Sequence, residues 1–165
     1  MNDTDLKHLV RAVDLAEAAL ASDNDPFGSV LVGGNGQVLF EDHNWTSTGD
    51  ETRHPEIDIA RWAAANMTAE ERAAATVYTS GEHCPMCAAA HAWVGLGRIV
   101  YAGSSSQLGE WLSEVGAPPP PVATLPINVV APGIPVAGPA PSLSARLREL
   151  HHRRAARKAR LHLGS

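Results

Sequence analysis

Cys84-Pro85-Met86-Cys87, read together with His54-Pro55-Glu56 thirty residues earlier, decides how this sequence folds. Each proline stands where a helix is expected to begin, because its missing N–H is unpaired at the first helical position anyway. His54 and Cys84 are therefore predicted at the N-termini of two helices. Cys87, three residues further on, shares a helix face with Cys84. The positive end of a helix dipole favours thiolates, so both thiols sit where metal binding is favoured.

One imidazole and two thiolates are three of the four ligands of a tetrahedral zinc ion. Structural zinc normally takes four protein ligands, whereas three ligands and an open position are typical of catalytic zinc. The chain contains two cysteines, so no third thiol completes the set. A water in the open position would have its pKa lowered to about 7. Glu56, two residues after His54, is then the nearby carboxylate that carries protons.

A C-x-x-C pair that opens a helix after a strand also fits a thioredoxin-like redox protein. That alternative leaves His54 and Glu56 unexplained, and the hairpin expected near the start of the chain does not fit it.

The pattern H-x-E followed by C-x-x-C is the signature of zinc deaminases. The chain resembles the cytidine-deaminase superfamily, and more closely its guanine-deaminase-like branch, over roughly residues 5–103. The motifs that carry the resemblance are Asp25-Pro26-Phe27-Gly28, His43-Asn44, Asp50-x-Thr52-x-His54, Tyr78-Thr79-Ser80 and Cys84-Pro85-Met86-Cys87 with Trp93 beyond it.

Three positions depart from the branch. Pro55 replaces the usual alanine of H-A-E, His83 replaces the proline before the first cysteine, and Gly81 stands where cysteine is frequent. None of these changes removes a ligand. They leave open a third alternative, a binding protein that keeps the deaminase fold and the zinc but has lost turnover.

The resemblance implies one zinc per chain, held by His54, Cys84 and Cys87. It implies hydrolytic release of ammonia from a heterocycle, with Glu56 as the proton shuttle. Asn44 would hydrogen-bond the ring, and Phe27 and Trp93 would sandwich it.

The expected substrate is a free base, guanine first, with cytosine-like bases and amino-s-triazines such as ammeline close behind. Relatives of this branch would be homodimers whose C-terminal segment helps to close the site. The tRNA-adenosine deaminases of the superfamily are disfavoured, because their Lys-Thr-Gly stretch after the fourth strand is missing.

The spacing of apolar residues predicts the secondary structure along the rest of the chain. Helices are expected near residues 4–22, 55–66 and 84–94, and a last helix, capped by Ser142, runs to about residue 160. Strands are expected at 27–32 and 37–41, around a glycine-rich turn, and at 76–80 and 98–102, with a possible fifth at 127–131. Strands that alternate with helices predict an α/β fold. The resemblance to the cytidine-deaminase superfamily makes this expectation more specific: a three-layer α/β/α sandwich around a mixed five-stranded sheet.

The chain has 165 residues, of which 44% are hydrophobic and 19% charged, a globular composition. We expect residues 1–115 to form the deaminase core and residues 116–141, which hold nine of the twelve prolines, to be a proline-rich segment with the possible fifth strand. Residues 142–165 would be a basic helix, part of the same domain or of a dimer interface. No apolar stretch spans a bilayer and no secretory signal is visible, so no membrane partner and a cytoplasmic location are expected.

Charge is unevenly distributed along the chain. The first 145 residues hold six basic and seventeen acidic side chains, whereas seven basic ones fall between Arg146 and Arg160. Because an acidic body repels phosphate backbones, we do not expect the protein to bind nucleic acid. The C-terminal run is read as a solvated helix face that carries arginine.

Overall fold

The computed structural model describes residues 1–163, which form a five-stranded sheet with helices on both sides. The elements follow in the order α1 (Asp3–Ala21), β1 (Gly28–Val32), β2 (Val38–His43), α2 (Pro55–Asn66), α3 (Ala69–Ala74), β3 (Thr76–Gly81), α4 (Pro85–Trp93), β4 (Arg98–Gly103), α5 (Ser105–Glu114), α6 (Ile127–Val130), β5 (Val136–Ala137) and α7 (Ser144–Leu163). No helix in this part of the chain combines the length and the apolar character needed to cross a membrane.

The sheet is mixed, with strand order β2-β1-β3-β4-β5. β1 is antiparallel to both β2 and β3, while β3, β4 and β5 run parallel to one another. In the register between β1 and β3, Ser29 lies opposite Thr79. This pairing brings two hydroxyl side chains to the same face of the sheet.

Alternation along the strands separates two hydrophobic layers. Leu31, Val77 and Ile99 face α2, α4 and α6, whereas Val30, Tyr78 and Val100 face α1, α5 and α7. All six of these side chains are buried. The predicted three-layer α/β/α sandwich with a mixed five-stranded sheet is confirmed.

Gly28 allows β1 to start directly beneath α1. A Cβ at this position would lie 2.4 Å from the Ala12 carbonyl oxygen and 2.7 Å from the Ala16 nitrogen. Because both atoms belong to the backbone, no side-chain movement relieves the clash. The close approach fixes the positions of Phe27 and Ser29 on either side of the glycine.

The prediction of a strand at 127–131 is wrong. Residues Ile127–Val130 form the short helix α6, and the fifth strand is Val136–Ala137. A short run of β-branched residues does not distinguish a strand from a buried helical turn. Here the Ile127 N–H donates to the Glu82 carboxylate over 3.0 Å, a tertiary contact that holds the start of the helix.

Two further helices were not predicted, and one begins later than expected. α3 and α5 each start with a capping box, Thr68 with Glu71 and Ser104 with Gln107, which is a recognisable sequence signal. α7 begins at Ser144, because residues Pro141–Leu143 first make a 3-10 turn. Ser142 therefore lies in that turn and does not cap the helix.

The basic residues of α7 are mostly paired with acidic residues of the body. Five of the seven have such partners in the described part of the chain: Arg146 with Asp14 and Glu17, Arg148 with Glu114, Arg154 and Lys158 with Asp25, and Arg157 with Asp23. α7 packs on α1 and α5 of its own chain. Its charge is therefore largely balanced inside the molecule.

Asp5 joins α1 to the sheet, and its replacement gives a stability prediction. The buried carboxylate accepts hydrogen bonds from Arg98 at 2.8 and 3.0 Å and from the Tyr78 hydroxyl at 3.0 Å. Hydrogen bonding to Arg98 is the largest cause that lowers the pKa of Asp5 from 3.8 to about 2. Asp5→Asn is expected to lower the free energy of unfolding at pH 7 by about 2 kcal/mol.

Because the pKa of Asp5 is lower in the folded state, this stability is present above pH about 4 and is lost as the pH falls towards about 2. Urea unfolding of wild type and variant at pH 7 and at low pH checks the prediction. Asp3→Asn, an exposed change in the same helical turn, is the control. A difference between wild type and Asp5→Asn that does not depend on pH would contradict the assignment.

Candidate metal centre and active site

The three predicted metal ligands meet between the N-termini of α2 and α4. His54 and Cys84 are the N-cap residues of these helices, with extended backbones, and Cys87 lies in the first turn of α4. His54 Nδ1 is 3.6 Å from the Sγ of Cys84 and 3.6 Å from the Sγ of Cys87. All three ligand atoms lie within 4.8 Å of one another.

These distances fit zinc. Zinc–sulfur bonds of about 2.3 Å and zinc–nitrogen bonds of about 2.0–2.1 Å, at a tetrahedral angle, separate nitrogen from sulfur by about 3.6 Å. The observed separations are both 3.6 Å. The donor set of one imidazole and two thiols therefore has both the chemistry and the spacing of a zinc site, with one position left open to a non-protein ligand.

The pKa values of the metal-ligating side chains depend on one another, because the side chains are hydrogen-bonded together. Hydrogen bonding with Cys87 is the largest cause that lowers the pKa of Cys84 to about 4. Hydrogen bonding with Cys84 is the largest cause that raises the pKa of His54 to about 9. Since zinc binds thiolates and neutral imidazole, loading the site releases protons.

Glu56 lies in the first turn of α2 and is 6% exposed. Its Oε1 accepts hydrogen bonds from the Ser29 hydroxyl at 3.0 Å and the Thr79 hydroxyl at 2.8 Å. Burial raises the pKa of this carboxyl above its usual value. The carboxylate is thus fixed by two strands beside the metal ligand that precedes it in sequence.

Asn44 is buried, and the orientation of its amide is defined by Thr46. Its Oδ1 accepts from the Thr46 N–H at 3.0 Å and from the Thr46 hydroxyl at 2.7 Å. No side-chain hydrogen bond involves its Nδ2 within residues 1–163. The Asn44 backbone N–H donates to the Phe27 carbonyl oxygen at 3.0 Å. Asn44 therefore offers N–H donors, and its position is coupled to that of Phe27.

Phe27 packs over Gly81, three residues before Cys84. A Cβ at Gly81 would lie 2.9 Å from the ring, so a glycine at this place gives the phenylalanine room. The ring also contacts His151 of α7, with centroids 5.1 Å apart. Phe27 therefore lies between the metal-bearing loop and the C-terminal helix.

Trp93, predicted to sandwich the base together with Phe27, lies on α4 beyond the two cysteines. It is the last residue of α4 and is 89% exposed. Six residues of helix after Cys87 correspond to about 9 Å along the axis, leading away from the metal ligands. Contact between Trp93 and the base therefore stays a prediction.

Sequence reasoning missed the polar residues that support the site. Ser29 and Thr79 hold Glu56, and Glu82 accepts hydrogen bonds from the N–H groups of Ser105 and Ile127. The sequence did contain a signal for Ser29 and Thr79. Both are polar residues at inward positions of buried strands, where a polar side chain needs a hydrogen-bond partner. The role of Glu82 had no local signal, because its hydrogen-bond partners Ser105 and Ile127 lie 23 and 45 residues away in sequence.

His83, one of the departures from the family pattern, is 1% exposed, and neither ring nitrogen has a hydrogen-bond partner. Its ring meets His91 edge-on, with centroids 5.4 Å apart. Burial holds the pKa of His83 well below its usual range, so the ring is neutral. Two unpaired polar atoms in the interior reduce stability.

His83→Leu is therefore expected to raise the free energy of unfolding by about 1 kcal/mol and to leave zinc content unchanged, because it removes both unpaired atoms at similar volume. Thermal unfolding and metal analysis check this. His91→Leu is the matched comparison and should be destabilising, since His91 is bonded to the Gly97 carbonyl oxygen at 2.8 Å. A loss of stability in His83→Leu would show that the imidazole has a partner in solution.

A mixed sheet between two helical layers, with a His–Cys–Cys cluster where two helices begin, defines a zinc-dependent hydrolase of the deaminase fold. The family model for the cytidine and deoxycytidylate deaminase zinc-binding region matches residues 2–103, and the chain belongs to this family. Zinc is its cofactor. These findings set aside the thioredoxin-like alternative.

Two curated proteins and one solved structure are similar to the chain. It is 29% identical over 143 residues to a probable cytosine deaminase from Schizosaccharomyces pombe, covering 81% of this chain and 87% of that protein. It is 34% identical over 103 residues to a guanine deaminase from Bacillus subtilis, covering 62% and 66%. A solved structure of guanine deaminase from Nitrosomonas europaea, 23% identical, superimposes with a TM-score of 0.64 over 87% of this chain and 82% of that one, which shows the common fold.

Proposed function

We propose that this zinc-dependent deaminase acts on a free nucleobase or a base-like amino-heterocycle. Guanine is the first candidate, and cytosine-like bases and amino-s-triazines such as ammeline follow. The observation that carries the proposal is the His54–Cys84–Cys87 cluster with the fixed carboxylate of Glu56 beside it. The cytosine and guanine deaminases among the relatives support a base as the substrate class.

Each residue has a task in this proposal. Zinc, when bound, lowers the pKa of a water to about 7 and so supplies a nucleophile at neutral pH. Glu56 takes a proton from the attacking water, delivers it to the ring nitrogen beside the amine-bearing carbon, and helps to protonate the departing ammonia. The hydrogen bonds from Ser29 and Thr79 hold Glu56 Oε1 while it does so. Phe27 packs against the flat ring.

The orientation of the Asn44 amide limits which heterocycles can bind. Because Thr46 occupies Oδ1, the amide presents N–H donors to the ligand. The heterocycle must therefore offer an acceptor at that place, either a carbonyl oxygen or an unprotonated ring nitrogen. Guanine, cytosine and ammeline all carry such acceptors in addition to an amine beside a ring nitrogen.

Charge argues against a polynucleotide substrate. Binding a phosphate backbone depends on lysine and arginine side chains that neutralise phosphates. In this chain most of the basic residues of α7 are paired with acidic side chains of the body. A small uncharged base is compatible with such a surface.

An ammonia-release screen on zinc-quantified protein tests the proposal. The panel is guanine, cytosine, isocytosine, adenine, their nucleosides and ammeline, with chelator-treated protein as the control. Release from one free base supports the proposal and names the substrate. Tight binding of a base without ammonia release, in protein that carries zinc, would favour the silent binding protein instead.

We further propose that the chain forms a homodimer and that Trp93 belongs to the interface. Its ring is 89% exposed in the single chain, and buried tryptophans are frequent at the centres of interfaces. Light scattering of the purified protein measures the mass, and a monomer at micromolar concentration would contradict this.

A further inference from the structure

The segment between α1 and β1, residues 22–27, is called here the Asp25 loop. It lies against the segment that carries Asn44. The Asn44 N–H donates to the Phe27 carbonyl oxygen at 3.0 Å, and the Ser47 N–H donates to Oδ1 of the fully buried Asn24 at 2.8 Å. Any shift of the Asp25 loop therefore moves Asn44 with it.

One face of α7 holds the Asp25 loop. Arg154 Nε and Lys158 Nζ each lie 2.7 Å from Asp25 Oδ1. His151 contacts the Phe27 ring, with centroids 5.1 Å apart. Because residues 151, 154 and 158 are spaced by three and four, they project from the same side of the helix.

The Asp25–Arg154 ion pair is largely shielded from water, whereas the Lys158 side chain is 46% exposed. The side chain of Arg154 is 14% exposed and that of Asp25 is 22% exposed. Burial acts to raise the pKa of Asp25, but hydrogen bonds from Lys158 and Arg154 outweigh it and hold the pKa below its usual value. Asp25 is thus a carboxylate, and removing its cationic partners leaves a poorly solvated charge.

Arg157 also pairs with Asp23 of the Asp25 loop, at 3.2 Å, and the remaining ion pairs of α7 lie elsewhere. Arg146 contacts Asp14 and Glu17 of α1, and Arg148 contacts Glu114 of α5. These pairs are more exposed than the Asp25–Arg154 pair, with 37% of the Arg146 side chain and 52% of that of Arg148 accessible. The two halves of α7 therefore differ: residues 146–148 attach the helix, and residues 151–158 contact the Asp25 loop.

We infer that α7 is a brace for substrate binding, in which Arg154 and Lys158 act as positioning residues that hold Phe27 and Asn44 through the Asp25 loop. The inference rests on the proposed function in one respect, that Phe27 and Asn44 contact the base. Neither Arg154 nor Lys158 contacts His54, Glu56 or the cysteines in the described structure. Loss of the brace should therefore weaken binding of the base and leave the chemical step and the zinc intact.

The test compares two double variants that remove the same charge from the same helix. Arg154→Gln/Lys158→Gln removes the brace, and Arg146→Gln/Arg148→Gln is the matched control. The first measurement is hydrogen exchange of zinc-loaded protein over residues 22–29 and 43–48. We expect the Asn44 and Ser47 amides to exchange at least about tenfold faster in the brace variant and at the wild-type rate in the control.

The second measurement is steady-state kinetics with guanine as the probe. The brace variant is expected to raise KM about tenfold while kcat stays within about twofold and zinc remains near one per chain. The single variant Arg154→Lys keeps a cation at this position. It should therefore bind guanine with most of the wild-type affinity. If the double variant does not fold, Lys158→Gln alone, whose side chain is 46% exposed, is measured in the same way.

Unchanged exchange at Asn44 and Ser47, or an equal change in the control, would overturn the brace. A fall in kcat with unchanged KM would also contradict it, because that result assigns the helix to the chemical step. If wild-type protein releases no ammonia from guanine, the proposed substrate fails, while the exchange measurement still decides whether α7 positions Asn44.

Discussion

Glu56→Gln is expected to lower turnover by about 10²–10⁴-fold while zinc content remains near one per chain. Glutamine has the shape of glutamate, and its amide oxygen can still accept the hydrogen bonds from Ser29 and Thr79. It cannot take a proton from water or return one to the ring. The variant therefore removes proton transfer and preserves the geometry.

The measurement is kcat with whichever base releases ammonia in the screen, together with metal analysis of the same sample. Asp58→Asn is the control, because Asp58 lies in the same first turn of α2 and is paired instead with Arg53 and Arg61. Normal turnover by Glu56→Gln would exclude Glu56 as the proton shuttle. A loss of zinc would show that the carboxylate supports the metal instead.

Cys87→Ala is expected to lose zinc almost completely. Cys87 is 0% exposed, and its Sγ is 3.6 Å from His54 Nδ1, so its replacement removes a ligand atom from the interior of the cluster. Two protein ligands remain, fewer than the three of a catalytic zinc site. Since a ligand that binds only the folded state stabilises it, the apparent free energy of unfolding should fall by about 3 kcal/mol at zinc one hundredfold above its Kd.

Zinc analysis and thermal unfolding with and without chelator measure both effects. Chelation should remove most of the stability difference between wild type and variant, because a mere packing defect would persist without metal. Met86→Leu, a change of similar volume between the two cysteines, is the control and should keep its zinc. Full zinc content in Cys87→Ala would exclude Cys87 as a ligand.

The residues around the metal were predictable because the signals are local. Proline after His54 and after Cys84 fixes two helix starts, and the structure places both residues as N-caps. Glu56 lies beside His54, as their separation of two residues requires. The layers of the sandwich also followed from local patterns, since the inward alternation of the strands and the amphipathic face of α1 are periodic.

The remaining features depend on contacts between distant parts of the chain. Asp25 and Arg154 are 129 residues apart, and nothing local to either residue indicates the other. The run at 127–131 was assigned to the wrong element because Glu82, 45 residues earlier, determines where that segment lies.

The two-residue length of β5 has a consequence for association between molecules. Val136–Ala137 is bounded by Pro135 and Pro139, which have no backbone N–H to offer to a further strand. At the opposite edge, β2 carries the charged residues Glu41 and Asp42. Short, proline-bounded or charged edges discourage one sheet from extending into another and so oppose aggregation. The proline-rich segment thus ends the sheet as well as leading to α7, and copies of this chain should associate through helices and not through strand edges.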